Sequence, residues 1–199
     1  MTKSAENSLP GLIALTGLDG TGKGELAAHL RDHYGFLTLG ASEIIGKVKA
    51  ERPHLQGLHP DEATRLLKEE LGPTFITDSA VDQFEASQGH YTGLVLDGIR
   101  RLPEIERVKE RGGAVLHINV SNSGERFKRL VERGRNDAPK SVEGMLARDA
   151  TQLDGDPNDR NSLNMRAIIE LADDIVVNHY NDHFYEDSIN SLRRLSKKS

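Results

Sequence analysis

The chain has 199 residues, 36% of them hydrophobic, enough to bury one core of ordinary size, and no apolar run approaches the roughly 18 to 20 residues of a membrane span. With 26 Lys and Arg against 31 Asp and Glu the formal charge is -5, which argues against a general nucleic-acid binder, because affinity for a phosphate polymer rests on a surplus of cations. Cysteine is absent, which excludes disulfides, thiolate zinc sites and thiol nucleophiles, and no basic-then-apolar secretory pattern opens the sequence, so a cytoplasmic location is expected.

Residues 1–10 are polar and read as a flexible leader, with a single domain expected over 11–199. Leu12, Ile13, Ala14 and Leu15 form a short apolar run that ends near a glycine cluster, the pattern of a buried parallel strand entering a turn. Residues 25–34 read as a helix stopped by Gly35. A weaker second strand at 36–39 is followed by helical segments at 42–51, 60–71 and 73–87. Asp61 and Glu62 favour the start of the middle one, and Gly72-Pro73 separates it from the next. Leu94, Val95 and Leu96 make a third apolar run, ending at Asp97-Gly98; residues 114–118 make a fourth and 175–177 a fifth. Helical patterns occupy 103–111, 123–133, 141–152, 160–172 and 182–195. Strands separated in this way by helices predict an α/β fold, a five-stranded parallel sheet flanked by helices on both faces. The polar, turn-rich segments 134–140 and 154–161 are expected to be loops near a site.

The stretch Gly17-Leu18-Asp19-Gly20-Thr21-Gly22-Lys23 follows a predicted strand and precedes a predicted helix, the context that separates a phosphate-binding P-loop from a chance match. Glycines let the backbone curl so that successive N–H groups face phosphate oxygens, and the helix behind adds the partial positive charge of its N-terminus. Lys23 is expected to neutralise the β and γ phosphates of ATP. The position after the lysine, where Ser or Thr usually helps to hold magnesium, is Gly24. Glu25 comes next and brings an anion close to the α phosphate, so either its side chain turns away or nucleotide binding is weakened. Between Arg100 and Arg135 stand ten Lys or Arg and five Glu, a local basic patch that suits a small, highly charged anion.

Gly22-Lys23-Gly24 is also the form that adenylate kinases carry, while Asp19 at its place in the loop is the form of thymidylate kinases. Over most of its length the chain resembles the nucleoside-monophosphate-kinase-like branch of P-loop proteins, whose fold is the three-layer sandwich of the P-loop NTP hydrolases with an acceptor-binding flap and a lid. Ala41-Ser42-Glu43-Ile44-Ile45 looks like the segment that opens the acceptor-binding helices of adenylate kinases. That likeness implies a flap over about 42–88 with Glu43 among its substrate-binding residues; Gly46 stands where a basic residue often follows, and Lys47 or Lys49 can substitute. Asp97-Gly98-Ile99-Arg100-Arg101 is similar to the family's strand end. It implies that Asp97 organises Mg2+ and that Arg100 or Arg101 binds the acceptor phosphate, for which a guanidinium fork is suited.

Arg126, Arg129, Arg133, Gly134, Arg135, Asn136, Asp137 and Arg148-Asp149 look like the family's lid, over about 133–141, in which Arg133, Arg135 and Arg148 close over the transferring phosphoryl group. The spacing of Arg126 and Arg129 fits a solvated basic face equally well. Residues 133–139, Arg148-Asp149 and the ending Ala172-Asp173-Asp174-Ile175-Val176-Val177-Asn178 look most like a subgroup related to dephospho-coenzyme A kinases, which makes Asn178 a candidate for the base-binding edge. The resemblance implies Mg2+-dependent transfer of the γ-phosphoryl group of ATP to a small phosphorylated or hydroxyl acceptor, a nucleoside or deoxynucleoside monophosphate in the first place and dephospho-coenzyme A as the alternative. No membrane or nucleic-acid partner is expected. A regulatory nucleotide-binding protein that has lost transfer activity is the rival from another class; Glu25 favours it and the arginine-rich lid opposes it.

Overall fold

The computed structural model describes residues 8–87, 89–134, 138–156 and 159–197, without the side chains of residues 60 and 61. Most of the predicted leader and part of the predicted lid, including Arg135, lie outside the described residues.

Five parallel strands, β1 (Leu12–Thr16), β2 (Leu37–Gly40), β3 (Leu94–Asp97), β4 (Ala114–Val120) and β5 (Asp174–Asn178), lie in the order β2-β3-β1-β4-β5. The helices are α1 (Lys23–Tyr34), α2 (Ala41–Ala50), α3 (Pro60–Leu71), α4 (Phe75–Ala86), α5 (Leu102–Glu110), α6 (Ser123–Glu132), α7 (Val142–Leu153), α8 (Met165–Leu171) and α9 (His183–Ser196). Strands at the centre carry apolar residues on both faces because both faces are covered. On one side Leu26 and Leu30 of α1 and Phe184, Ile189 and Leu192 of α9 pack on Ile13, Leu15, Val95, Leu116 and Val176. On the other, Ile76 and Ala80 of α4, Ile105 and Val108 of α5 and Ile168 of α8 pack on Ala14, Leu94, Leu96 and Val115. The result is an α/β three-layer sandwich.

The register puts Leu15 beside Asp97 of β3 and Thr16 beside His117 of β4. The loop that leaves β1 is therefore flanked by the carboxyl ends of two further strands, the usual place for a ligand in an open parallel sheet. Two helix starts differ from the pattern-based expectation through a side chain. The helix expected from 160 starts at Met165, because Asn164 Oδ1 accepts from Ala167 N (3.0 Å) as an N-cap while residues 159–162 form turns. The helix expected from 73 starts at Phe75, where the buried Glu104 carboxylate of α5 accepts from Ile76 N (3.1 Å) and Thr77 N (2.8 Å) and so satisfies two first-turn donors. Among the described residues no helix is long and apolar enough to cross a membrane.

Candidate active site

The loop between β1 and α1 has the shape that its glycines permit. Gly22 has φ of 100°, and a Cβ there would stand 2.4 Å from Asn178 Nδ2; Gly17 has φ of 140°, and a Cβ there would stand 2.4 Å from the carbonyl oxygen of Ile118. Both conformation and crowding therefore demand glycine. Thr21 Oγ1 donates to Leu18 O (3.0 Å) and fastens the loop on itself. α1 begins at Lys23, so its unpaired first-turn N–H groups face the loop.

Lys23 is buried, and its Nζ donates to Gly17 O (2.9 Å) and Leu18 O (2.7 Å). Burial first, and then the Arg100 guanidinium, push its pKa down to about 8. Asp97 ends β3 beside it. Burial raises the Asp97 pKa, and the nearby Lys23 and Arg100 offset this only in part. One of its oxygens, Oδ1, is buried and has no hydrogen-bond partner. A carboxylate in that condition gains from a cation or from the water shell of one. A Cβ on Gly24 would lie 3.6 Å from Asp97 Oδ2, so the missing hydroxyl leaves room at this carboxylate. The residues present thus fit a magnesium ion reached from Asp97, without a direct hydroxyl ligand from the loop.

Asp19 brings three elements together. Its carboxylate accepts from Arg100 Nη2 (2.5 Å) and from Arg148 Nη2 of α7 (3.1 Å), while Arg100 Nη1 donates to Gln152 Oε1 (3.0 Å). Burial works to raise the pKa of Asp19, but Arg100, Lys23 and Arg148 outweigh it and hold the carboxyl below its ordinary range. Arg101 takes a different course: its Nε donates to Asn161 O (3.0 Å), which also accepts from Lys68 Nζ (3.0 Å). Burial and the Arg101 charge depress Lys68 to about 8.

A cavity of about 780 Å3 opens over the loop. Of the residues singled out in the sequence, it brings together Asp19, Gly20, Gly22, Lys23, Gly24, Glu43, Asp97, Arg100, Arg101 and Arg133, and Arg148 joins them through Asp19. Glu43 lines the wall with its carboxylate paired to Lys47 (3.0 Å).

Glu25 and Asn178 do not line the cavity. Glu25 turns to α6, where Arg129 Nη1 donates to its two oxygens (3.1 and 3.4 Å). Asn178 is buried beneath the loop; its Nδ2 donates to Thr21 O (3.0 Å) and its Oδ1 accepts from Tyr180 N (2.7 Å), so its side chain braces the loop backbone. Arg126 is also not a solvated basic residue: it is buried and paired with Asp149 (2.5 Å), locking α6 to α7.

Sequence reasoning missed Tyr180, His117, Gln152 and the Asn161 carbonyl. Tyr180 is the one non-glycine among the described residues with positive φ (56°), its hydroxyl donates to Gly20 O (2.8 Å), and the Arg129 guanidinium lies 4.3 Å from its ring centre. His117 is buried with Nδ1 unpartnered, and burial and the Lys23 charge depress its pKa to about 4, so it is neutral at pH 7. Only Asn161 had a signal, its place in the turn-rich segment 154–161.

No protein-family model matches the chain. Proteins of similar sequence include the UPF0200 proteins of Sulfurisphaera tokodaii, 29% identical over 171 residues that cover 86% of this chain and 89% of the relative, and of Hyperthermus butylicus, 28% identical over 192 residues that cover 93% and 95%. Similar solved structures include a shikimate kinase from Acinetobacter baumannii in complex with shikimate, with a TM-score of 0.59 and 18% identity over 98% of this chain and 96% of that one. A shikimate kinase from Bacteroides thetaiotaomicron superposes with a TM-score of 0.53 and 16% identity over 94% and 98%. At these identities the likeness speaks for the fold: the chain has the fold of the P-loop kinases.

Proposed function

We propose that the protein transfers the γ-phosphoryl group of ATP to a small acceptor, a nucleoside or deoxynucleoside monophosphate in the first place. The observation that carries this reading is the Asp19 carboxylate held between Arg100 and Arg148. Two guanidinium groups from separate elements already converge on one anion beside the phosphate loop, as a phosphoryl group in transit requires. In this reading Lys23 and the backbone N–H groups of residues 20–24 hold the donor phosphates. Asp97 supports Mg2+, which when bound neutralises charge on the β and γ phosphates. Arg100 or Arg101 takes the acceptor, and Arg133 and Arg148, with Arg135 of the lid, close over the transition state and exclude water. Turning Glu25 to Arg129 removes the main objection to a bound donor. Tyr180, with the Arg129 guanidinium over its ring and its hydroxyl on Gly20 O, then offers a flat surface next to the loop outside the residues that line the acceptor cavity, and we assign the donor base to it rather than to Asn178.

Gly46 favours a second reading, an acceptor other than a nucleoside monophosphate, such as dephospho-coenzyme A: the basic residue expected there is missing, and Lys47 is engaged with Glu43 and with Gln83 (3.3 Å). The test is ADP production from magnesium ATP with a panel of ribo- and deoxyribonucleoside monophosphates and dephospho-coenzyme A. At least one acceptor should stimulate ADP release tenfold or more, and Lys23→Ala should abolish the stimulation. Flat release across the panel would remove both readings and leave a regulatory nucleotide-binding protein.

A further inference from the structure

Gly46 lies in the middle of α2, where glycine costs roughly 1 kcal/mol relative to alanine. Packing does not offset this cost: a Cβ built on Gly46 would meet no atom within 4 Å. Its bare face turns into the cavity. Ser42, Ile45, Gly46 and Lys49 all line it, the spacing of one helical face, and Thr64 of α3 and Leu163 line the same space.

Five cationic and three anionic side chains line the cavity, so it favours an anionic occupant. Lys23, Arg100 and Arg133 act on one another at the loop end. Lys49 stands apart, seven residues along α2 from Ser42, which is about 10 Å of helix at ~1.5 Å per residue. Its Nζ donates to the carbonyl of Leu58 (2.8 Å), and it makes no ion pair with a carboxylate of the described residues. Lys47, by contrast, is turned out of the cavity to Glu43 and Gln83.

We propose that the Gly46 face of α2 is a slot for the non-reacting end of the acceptor, and that this end carries an anionic group, a phosphate or a carboxylate, taken by Lys49. The acceptor then lies with its reacting end at the arginines of the loop and its body against bare helix backbone, ending on Lys49. This rests on the phosphotransferase reading for the position of the reacting end. It deepens that reading by naming a second charge on the acceptor and the residue that selects it.

A matched pair of probes tests it: AMP, and N6-succinyl-AMP, which adds carboxylates at the far end of the base. Both are titrated calorimetrically into the full chain with Mg2+ and a non-hydrolysable ATP analogue. The succinyl compound should bind at least tenfold more tightly than AMP. Lys49→Gln should erase that advantage and Lys49→Arg keep it, which a lysine needed only for its bond to Leu58 would not explain. Gly46→Leu, a good helix former at an exposed position, should weaken both probes tenfold or more with the melting temperature unchanged or raised. Equal binding of the two probes, an advantage that survives Lys49→Gln, indifference to Gly46→Leu, or no binding of either probe would each overturn the proposal. ADP production, assayed separately with the same two probes, keeps the levels apart. A succinyl advantage that depends on Lys49 but comes without turnover of either probe keeps the slot and removes phosphoryl transfer to adenosine monophosphates. Turnover with AMP and no advantage for the succinyl compound does the reverse.

Discussion

Lys23 has a measurable signature because its surroundings hold its pKa at about 8. A bound polyphosphate favours the charged ammonium and raises that pKa again, so binding near or above pH 8 takes up a proton. Calorimetric titration of ATP at pH 8.5 in buffers of different ionisation heat should show proton uptake that is clearly larger than at pH 7, and affinity should weaken as pH rises past 8. Lys23→Arg should show no uptake. Binding heat independent of buffer at pH 8.5 would mean that Lys23 does not meet the phosphates. Single residues were unevenly legible in the sequence. Lys23 and Asp97 are fixed by a local motif and a strand end, so pattern alone placed them. Asn178 was legible as a position but its bonds to Thr21 and Tyr180 were not, because they are set by how β5 ends against the loop. Glu25 could not be oriented without Arg129, 104 positions away. The left-handed backbone of Tyr180 left no mark in composition or period.

At the scale of elements, the apolar runs matched all five strands to within a residue or two; the central ones read as continuous apolar runs because both their faces are covered, while the edge strand β5 does so although Ile175 and Val177 are exposed. Helix ends were less legible, because caps such as Asn164 and the Glu104 carboxylate compete with periodicity. The arginines of α6 show the same limit. Their spacing put Arg126, Arg129 and Arg133 on one side of the helix, but three different neighbours give them three different tasks. Arg126 faces Asp149 in the interior, Arg129 faces Glu25 and Tyr180, and Arg133 faces the cavity. Arg126→Met should therefore destabilise the protein by about 3 to 5 kcal/mol in urea unfolding, because it leaves the Asp149 carboxylate buried and unpaired. Combining it with Asp149→Leu should recover most of that loss. A cost below about 1 kcal/mol for the single change would show that the pair does not hold α7, and with it Arg148, against α6.

At the scale of the whole molecule, an acidic chain gathers cations where the fold has its crevice. The order β2-β3-β1-β4-β5 sets Asp97 next to the loop of the central strand, and the connections out of β3 and out of β4 bring Arg100, Arg133 and Arg148 to the same side. This convergence is what makes a transferase, rather than a nucleotide switch or a plain ATPase, the better account of the site. The most direct measurement follows 31P resonances in a mixture of the full chain, magnesium ATP and the acceptor that stimulates ADP release. The γ-phosphoryl signal of ATP should be replaced by that of a phosphorylated acceptor, with inorganic phosphate a minor product, and Lys23→Ala should stop the exchange. Inorganic phosphate rising in step with ADP, with no phosphorylated acceptor, would contradict phosphoryl transfer.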